Sequence, residues 1–152
     1  MQAIIEERMD DDIRDQIRRL SVETPDPAEQ FMQAFKLTRH IFDYDPIGPY
    51  AVKEESEPFD LKAHNETWND IRRLQDNGTY PNAFAAIKSP VLMMHGQYDP
   101  HPGKMIRDSL LPILPRLEYR ELERCGHSPW IEKPSRELFF SGICEWLEDH
   151  EI

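Results

Sequence analysis

Residues 87–103, IKSPVLMMHGQYDPHPG, and residues 124–134, RCGHSPWIEKP, carry most of the information in this chain. Val91-Leu92-Met93-Met94 is a short continuous apolar run after Pro90, closed by His95-Gly96. Such a run reads as a strand buried on both faces, as in a parallel sheet. A helix is expected over Met105–Leu114, stopped near Pro112 and Pro115. Leu117–Leu122 alternates apolar with polar residues, the pattern of a strand nearer a sheet edge. After the RCGHSPWIEKP loop, Leu138, Phe139, Ile143, Trp146 and Leu147 form the apolar face of a closing helix. Strand, helix, strand, helix is the grammar of a parallel α/β sheet. Two strands make a poor sheet by themselves, so earlier strands are expected beside Val91–Met94.

Upstream the reading is helical. Ile5, Met9, Ile13, Ile17 and Leu20 draw one apolar stripe along a single amphipathic helix. The acidic run Asp10-Asp11-Asp12 belongs to its solvated face. The turn VETPDP breaks that helix. Asp26, Pro27 and Glu29 then supply an N-cap, a first-turn proline and a capping-box acid. Phe31, Phe35, Thr38 and Phe42 continue a second helix, and their stripe is expected in the core. Residues 43–60 read as a proline- and acid-rich loop. A third helix covers about His64 to Gln75 and stops at Asn77-Gly78. Trp68 and Trp130 are expected to pack.

The 152 residues allow one domain with a hydrophobic core. At 39% hydrophobic and 31% charged, the composition is that of a soluble globular chain. No apolar run reaches the ~18 residues of a membrane span. The start, MQAIIEERMDDD, has no apolar signal core, which favours the cytoplasm. A net charge of −11 argues against nucleic-acid binding, because phosphates would be repelled. Cys125 and Cys144 are too few for a disulfide framework, match no zinc spacing, and are expected as reduced, partly buried thiols.

The candidate chemistry lies at one edge of the expected sheet. Asp99 follows the first strand, and ligands bind beyond the C-terminal ends of strands in open α/β folds. His127 follows the second strand, 28 residues later, and belongs to the same edge. A carboxylate that accepts from imidazole Nδ1 fixes the tautomer and leaves Nε2 to take a proton from a hydroxyl nucleophile. Gly126 gives the loop room to turn before His127. His95, Asp99 and His101, spaced H-x3-D-x-H, match no common metal site, and no metal is expected. Glu132 reads as a structural, loop-pairing carboxylate.

Here the chain resembles the α/β-hydrolase family. The strand trailing into HGxxD, the later GHxPxxExP and the helix beginning near Pro134 look like that family's last two strands and final helix. The words GHSPWIEKP are similar to proline-iminopeptidase-like and related small-substrate hydrolases. The resemblance runs over about Ala83 to Leu147 and is positional before that. It implies a partial α/β-hydrolase fold, with residues 1–82 a helical cap-like region and 83–152 the C-terminal part of the core. It also implies Asp99 as triad acid and His127 as triad base, acting on a small ester or amide with no cofactor. The departure is that no G-x-S-x-G occurs, and the oxyanion loop and earlier strands are missing. His95-Gly96 sits at the wrong strand for that loop. Ser128 adjoins His127 but lacks strand–Ser–helix context, as do the other serines. Alone, the chain is expected to be inactive. The alternative is a non-catalytic module that self-associates, as a homodimer, or binds a partner through the uncovered strand edge.

Overall fold

The computed structural model describes residues 1–48 and 59–150. It is a mixed α/β structure whose helical first half leads into a two-stranded parallel sheet. Residues 49–58 of the expected loop lie outside the described residues.

The first apolar stripe is divided between two helices, α1 (Gln2–Arg8) and α2 (Asp11–Glu23). The reason is Asp10. Its carboxylate accepts from the Ile13 backbone N–H at 2.8 Å, which caps α2 and ends the previous helix. Asp11 and Asp12 fall in the first turn, where acidic groups meet the positive end of the helix dipole. The run is solvated, as expected, and it also starts a helix.

Helix α3 (Pro27–Thr38) begins as its sequence indicates, with Asp26 accepting from Ala28 N at 2.9 Å and Pro27 in the first turn. Glu29 does not close a capping box; it accepts from Gln33 Nε2 instead. A short 3-10 turn, Arg39–Ile41, follows, so Phe42 lies beyond the helix. The phenylalanine stripe is not core: α3 has no buried residue and Phe35 is 46% exposed. Helix α4 (Leu61–Asp76) starts three residues before the expected His64, because Asp60 caps it through Ala63 N. It ends at Asn77, and Gly78 takes the left-handed conformation (φ 76°) that only glycine adopts without cost. Phe31 stacks on Phe59 at 5.1 Å and touches His64 at 4.8 Å, joining α3 to α4. Trp68 and Trp130 do pack against rings, yet each is about half exposed.

Strand β1 (Val91–Gly96) pairs in parallel with β2 (Leu117–Leu122), in the register Val91 to Leu117 through Gly96 to Leu122. Helix α5 (Gly103–Leu110) crosses between them. It ends four residues before the expected Leu114, because Pro112 offers no N–H to continue it. Helix α6 (Arg136–Asp149) lies on the sheet at Gly142, beside Met94 and Arg120. Trp146 is buried, but Leu138 is 61% exposed, so the expected apolar face is only partly covered.

Strand β1 also departs from expectation. Val91 to His95 are half-buried, not sealed on both faces, since the sheet has two strands among the described residues. The best-buried apolar side chains gather around β2 and the loops at its ends: Leu114, Leu117, Leu122, Cys125 and, from the helical half, Ile41. Cys125 is buried and Cys144 exposed, both as free thiols. Among the described residues, no helix is long and apolar enough to cross a membrane.

Removing the Asp10 cap should cost about 1 kcal/mol, whereas the exposed Asp12 should matter by less than about 0.5 kcal/mol. Urea unfolding of Asp10→Ala and Asp12→Ala checks this; equal effects would mean that Asp10 does not define the break.

Candidate active site

Parallel pairing sends the C-terminal ends of β1 and β2 to the same edge, and the two candidate residues meet there. Asp99 Oδ2 and His127 Nδ1 lie 2.8 Å apart. The Asp99 side chain is 5% exposed and that of His127 is 53% exposed, so a buried carboxylate holds an accessible imidazole. With the Nδ1 proton directed to Asp99, Nε2 is left as the basic nitrogen.

Three devices hold the His127 loop. The backbone N–H of His127 donates to the Phe42 carbonyl at 2.8 Å. Gly126 passes so close that a Cβ there would overlap the Phe42 carbonyl oxygen. Space, not turn geometry, is therefore what requires glycine at this position. The third device is Glu132, which is fully buried. Its Oε1 accepts from Tyr44 N at 2.7 Å and Gly126 N at 3.0 Å, and its Oε2 accepts from Asp45 N at 2.6 Å. The expected loop-pairing role is thus realised, across 88 residues of sequence to Tyr44.

The Asp99 loop is clamped from the other side. Arg8 donates to the carbonyls of Ile41 and Tyr98 at 2.7 and 2.8 Å, and its guanidinium lies 3.5 Å from the Tyr98 ring centroid. The first helix is thereby tied to the residue preceding Asp99.

Burial is the largest single influence on Asp99 and opposes its ionisation. Hydrogen bonds from the His127 ring and from the His101 backbone and ring together outweigh it, and hold the carboxyl at about 2. The hydrogen bond to Asp99 in turn raises His127 above its ordinary 6.5, with Asp43 adding to the rise and burial and Arg39 opposing it. Asp43 is itself buried and pairs with Arg39 at 3.2 Å.

His101 is the residue that sequence reasoning underrated. Its Nδ1 lies 2.7 Å from Asp99 Oδ1, and its backbone N–H donates to the same oxygen at 2.9 Å. The second bond is an Asx turn, which the Asp-Pro-His spacing could have signalled. His95 is more distant, with Nε2 3.6 Å from Asp99 Oδ2. Phe42, which the helical stripe assigned to the core, faces both imidazoles, at 6.0 Å from His101 and 6.1 Å from His127.

Two clefts approach the dyad. The larger, of about 780 Å3, lies under α3 and is lined by Met32, Phe35, Arg39, Asp43, Tyr44 and Tyr98, among others. It reaches the dyad only through neighbours. A smaller one, of about 280 Å3, opens at Asp99 and His101 themselves. Ser128 is buried at the entry to a short 3-10 turn, Pro129–Ile131, and lacks the sharp strand-to-helix turn that exposes a nucleophile. Comparisons with family models, with curated proteins and with solved structures found no match.

Glu132→Gln would present an amide N–H to backbone donors and remove the buried charge that they solvate. It is expected to cost about 3 kcal/mol in urea unfolding. Glu123→Gln, at an exposed position, should stay within about 0.5 kcal/mol.

The dyad also predicts a pH window. Asp99, depressed from 3.8 to about 2, adds roughly 2 kcal/mol that is fully present above about pH 4 and is lost as pH falls toward 2. His127, raised from 6.5, adds stability that is present below 6.5 and is lost as pH rises through its native value. Their joint contribution should be greatest between about pH 4 and 6.5. Unfolding measured against pH tests this. NMR titration should find His127 above 6.5 and show it falling in Asp99→Asn; an ordinary value in the unmodified protein would contradict the geometry.

Proposed function

We propose that this polypeptide is part of a serine-type α/β-hydrolase, in which His127 is the general base and Asp99 its orienting acid. The observation that carries the reading is the 2.8 Å contact between a buried carboxylate and the Nδ1 of an exposed imidazole, at the C-terminal edge of a parallel strand pair. It is supported by the chain order of acid then histidine, and by the resemblance of residues 83–147 to that family's last strands and helix.

The nucleophile and oxyanion donors come from outside these 152 residues. Given both, a serine hydroxyl attacks the carbonyl of a small ester or amide while His127 Nε2 takes its proton. His127 then returns that proton to the leaving group, and Asp99 stabilises the imidazolium between the two steps. Residues 1–82 serve as the cap, and the cleft under α3 provides room for the substrate. No cofactor enters this chemistry, and a cytoplasmic setting suits its two free thiols.

A second reading rests on a separate observation. The half-exposed β1 and exposed apolar side chains such as Met105, Leu138, Trp130 and Phe140 favour a self-associating, non-catalytic module. Light scattering after size exclusion tests it, since a monomer over a wide concentration range removes the homodimer.

For the hydrolase reading, the purified chain should take no fluorophosphonate adduct by intact mass. A complex reconstituted with a polypeptide supplying the nucleophile elbow should be labelled on that serine. His127→Ala should lower labelling by about 10³-fold or more without preventing assembly. Equal labelling in the variant would sink the reading. An adduct on the chain alone, lost in His127→Ala, would place the nucleophile within these residues.

A further inference from the structure

The triad role uses one imidazole of Asp99, yet the carboxylate holds two. Oδ1 receives the ring and backbone N–H of His101, and Oδ2 receives the ring of His127. One donor atom from each of Asp99, His101 and His127 lies within 4.8 Å of the others, the one such group found among the described residues. Two imidazole nitrogens and a carboxylate oxygen form a donor set that suits zinc-like divalent ions, and they leave further positions open. Magnesium and calcium prefer oxygen donors and fit it poorly.

The surroundings favour a cation. Asp99 carries its charge at 5% side-chain exposure, where little water screens it. His101 and His127 are 37% and 53% exposed, so both rings can shift and an ion can enter. The cleft of about 280 Å3 that contains Asp99 and His101 provides the path. The adjustment needed is small: the three donor atoms already lie within 4.8 Å of one another, and ligands around an ion with ~2.0–2.1 Å bonds stand about 3.3 Å apart.

We propose that Asp99, His101 and His127 bind one divalent transition-metal ion of the zinc class, through a carboxylate oxygen and the two Nδ1 atoms. The ion takes the place of the Nδ1 protons, and each ring carries its proton on Nε2 instead. His127 then has no free nitrogen with which to accept a proton from a nucleophile. Metal loading and general-base action at His127 are therefore mutually exclusive. The ion site itself stands on this geometry alone and does not depend on the hydrolase reading.

Calorimetric titration of the chelator-treated chain with zinc chloride, and with cobalt(II) for its visible absorption, tests the site without any substrate. One ion per chain is expected. His101→Ala and His127→Ala should each weaken binding by about tenfold or more, and His40→Ala by less than about twofold. Circular dichroism checks the variants for folding. Should an alanine variant unfold, His101→Gln and His127→Gln, which retain a donor for Asp99, should show the same loss. No saturable uptake, or uptake that both histidine variants retain, would overturn the site. Either result is separable from fluorophosphonate labelling, which reads the hydrolase proposal and needs no metal.

Discussion

A carboxylate shut away from water must find its donors within the protein, and Glu132 finds three backbone N–H groups, two from a distant segment and one six residues upstream. Two of them, at Tyr44 and Asp45, belong to the helical half, just after the Arg39–Ile41 turn. The third, at Gly126, adjoins His127. A single buried charge therefore fastens the helical region to the loop that carries the imidazole. Such a charge is tolerable only with all of its donors in place, because its desolvation is offset by those bonds and little else. The Phe42 carbonyl, the close approach of Gly126 and the bridge between Pro46 and Glu132 follow the same seam.

The Asp99 side of the site is built by a complementary cation. Arg8 crosses from α1 to the carbonyls of Ile41 and Tyr98, so that the first helix and the β1 loop meet at one guanidinium. Between these two anchors lies a carboxylate that serves His127 and His101 together. The polar site is more firmly organised than the apolar layer around it. Leu138 and Met105 face solvent, and β1 is paired on one edge by β2.

Local rules were legible where local hydrogen bonds decide the outcome. Asp26-Pro27 starts α3 and Asn77-Gly78 stops α4, as their chemistry requires. Strand β2 has the bounds that its alternation indicates. The errors came where two local signals competed. A continuous apolar stripe hid the Asp10 cap, and of the two prolines expected to stop the next helix, Pro112 decides its end at Leu110. The phenylalanines of α3 have helical spacing, but spacing does not say whether another layer covers them.

The sequence by itself determined the strand, helix, strand, helix order of the second half and, through parallel pairing, that Asp99 and His127 belong to one edge. These follow from periodicity, caps and the length of a crossover, all of which act over a few residues. Only the tertiary structure decided that Phe42 sits against both imidazoles, and that Arg8 and Glu132 clamp the two loops. The Arg8 and Glu132 contacts join residues as far as 90 and 88 positions apart. No local pattern encodes such a pairing; it exists because a charge or donor taken out of water must be satisfied by whatever polar groups packing brings to it.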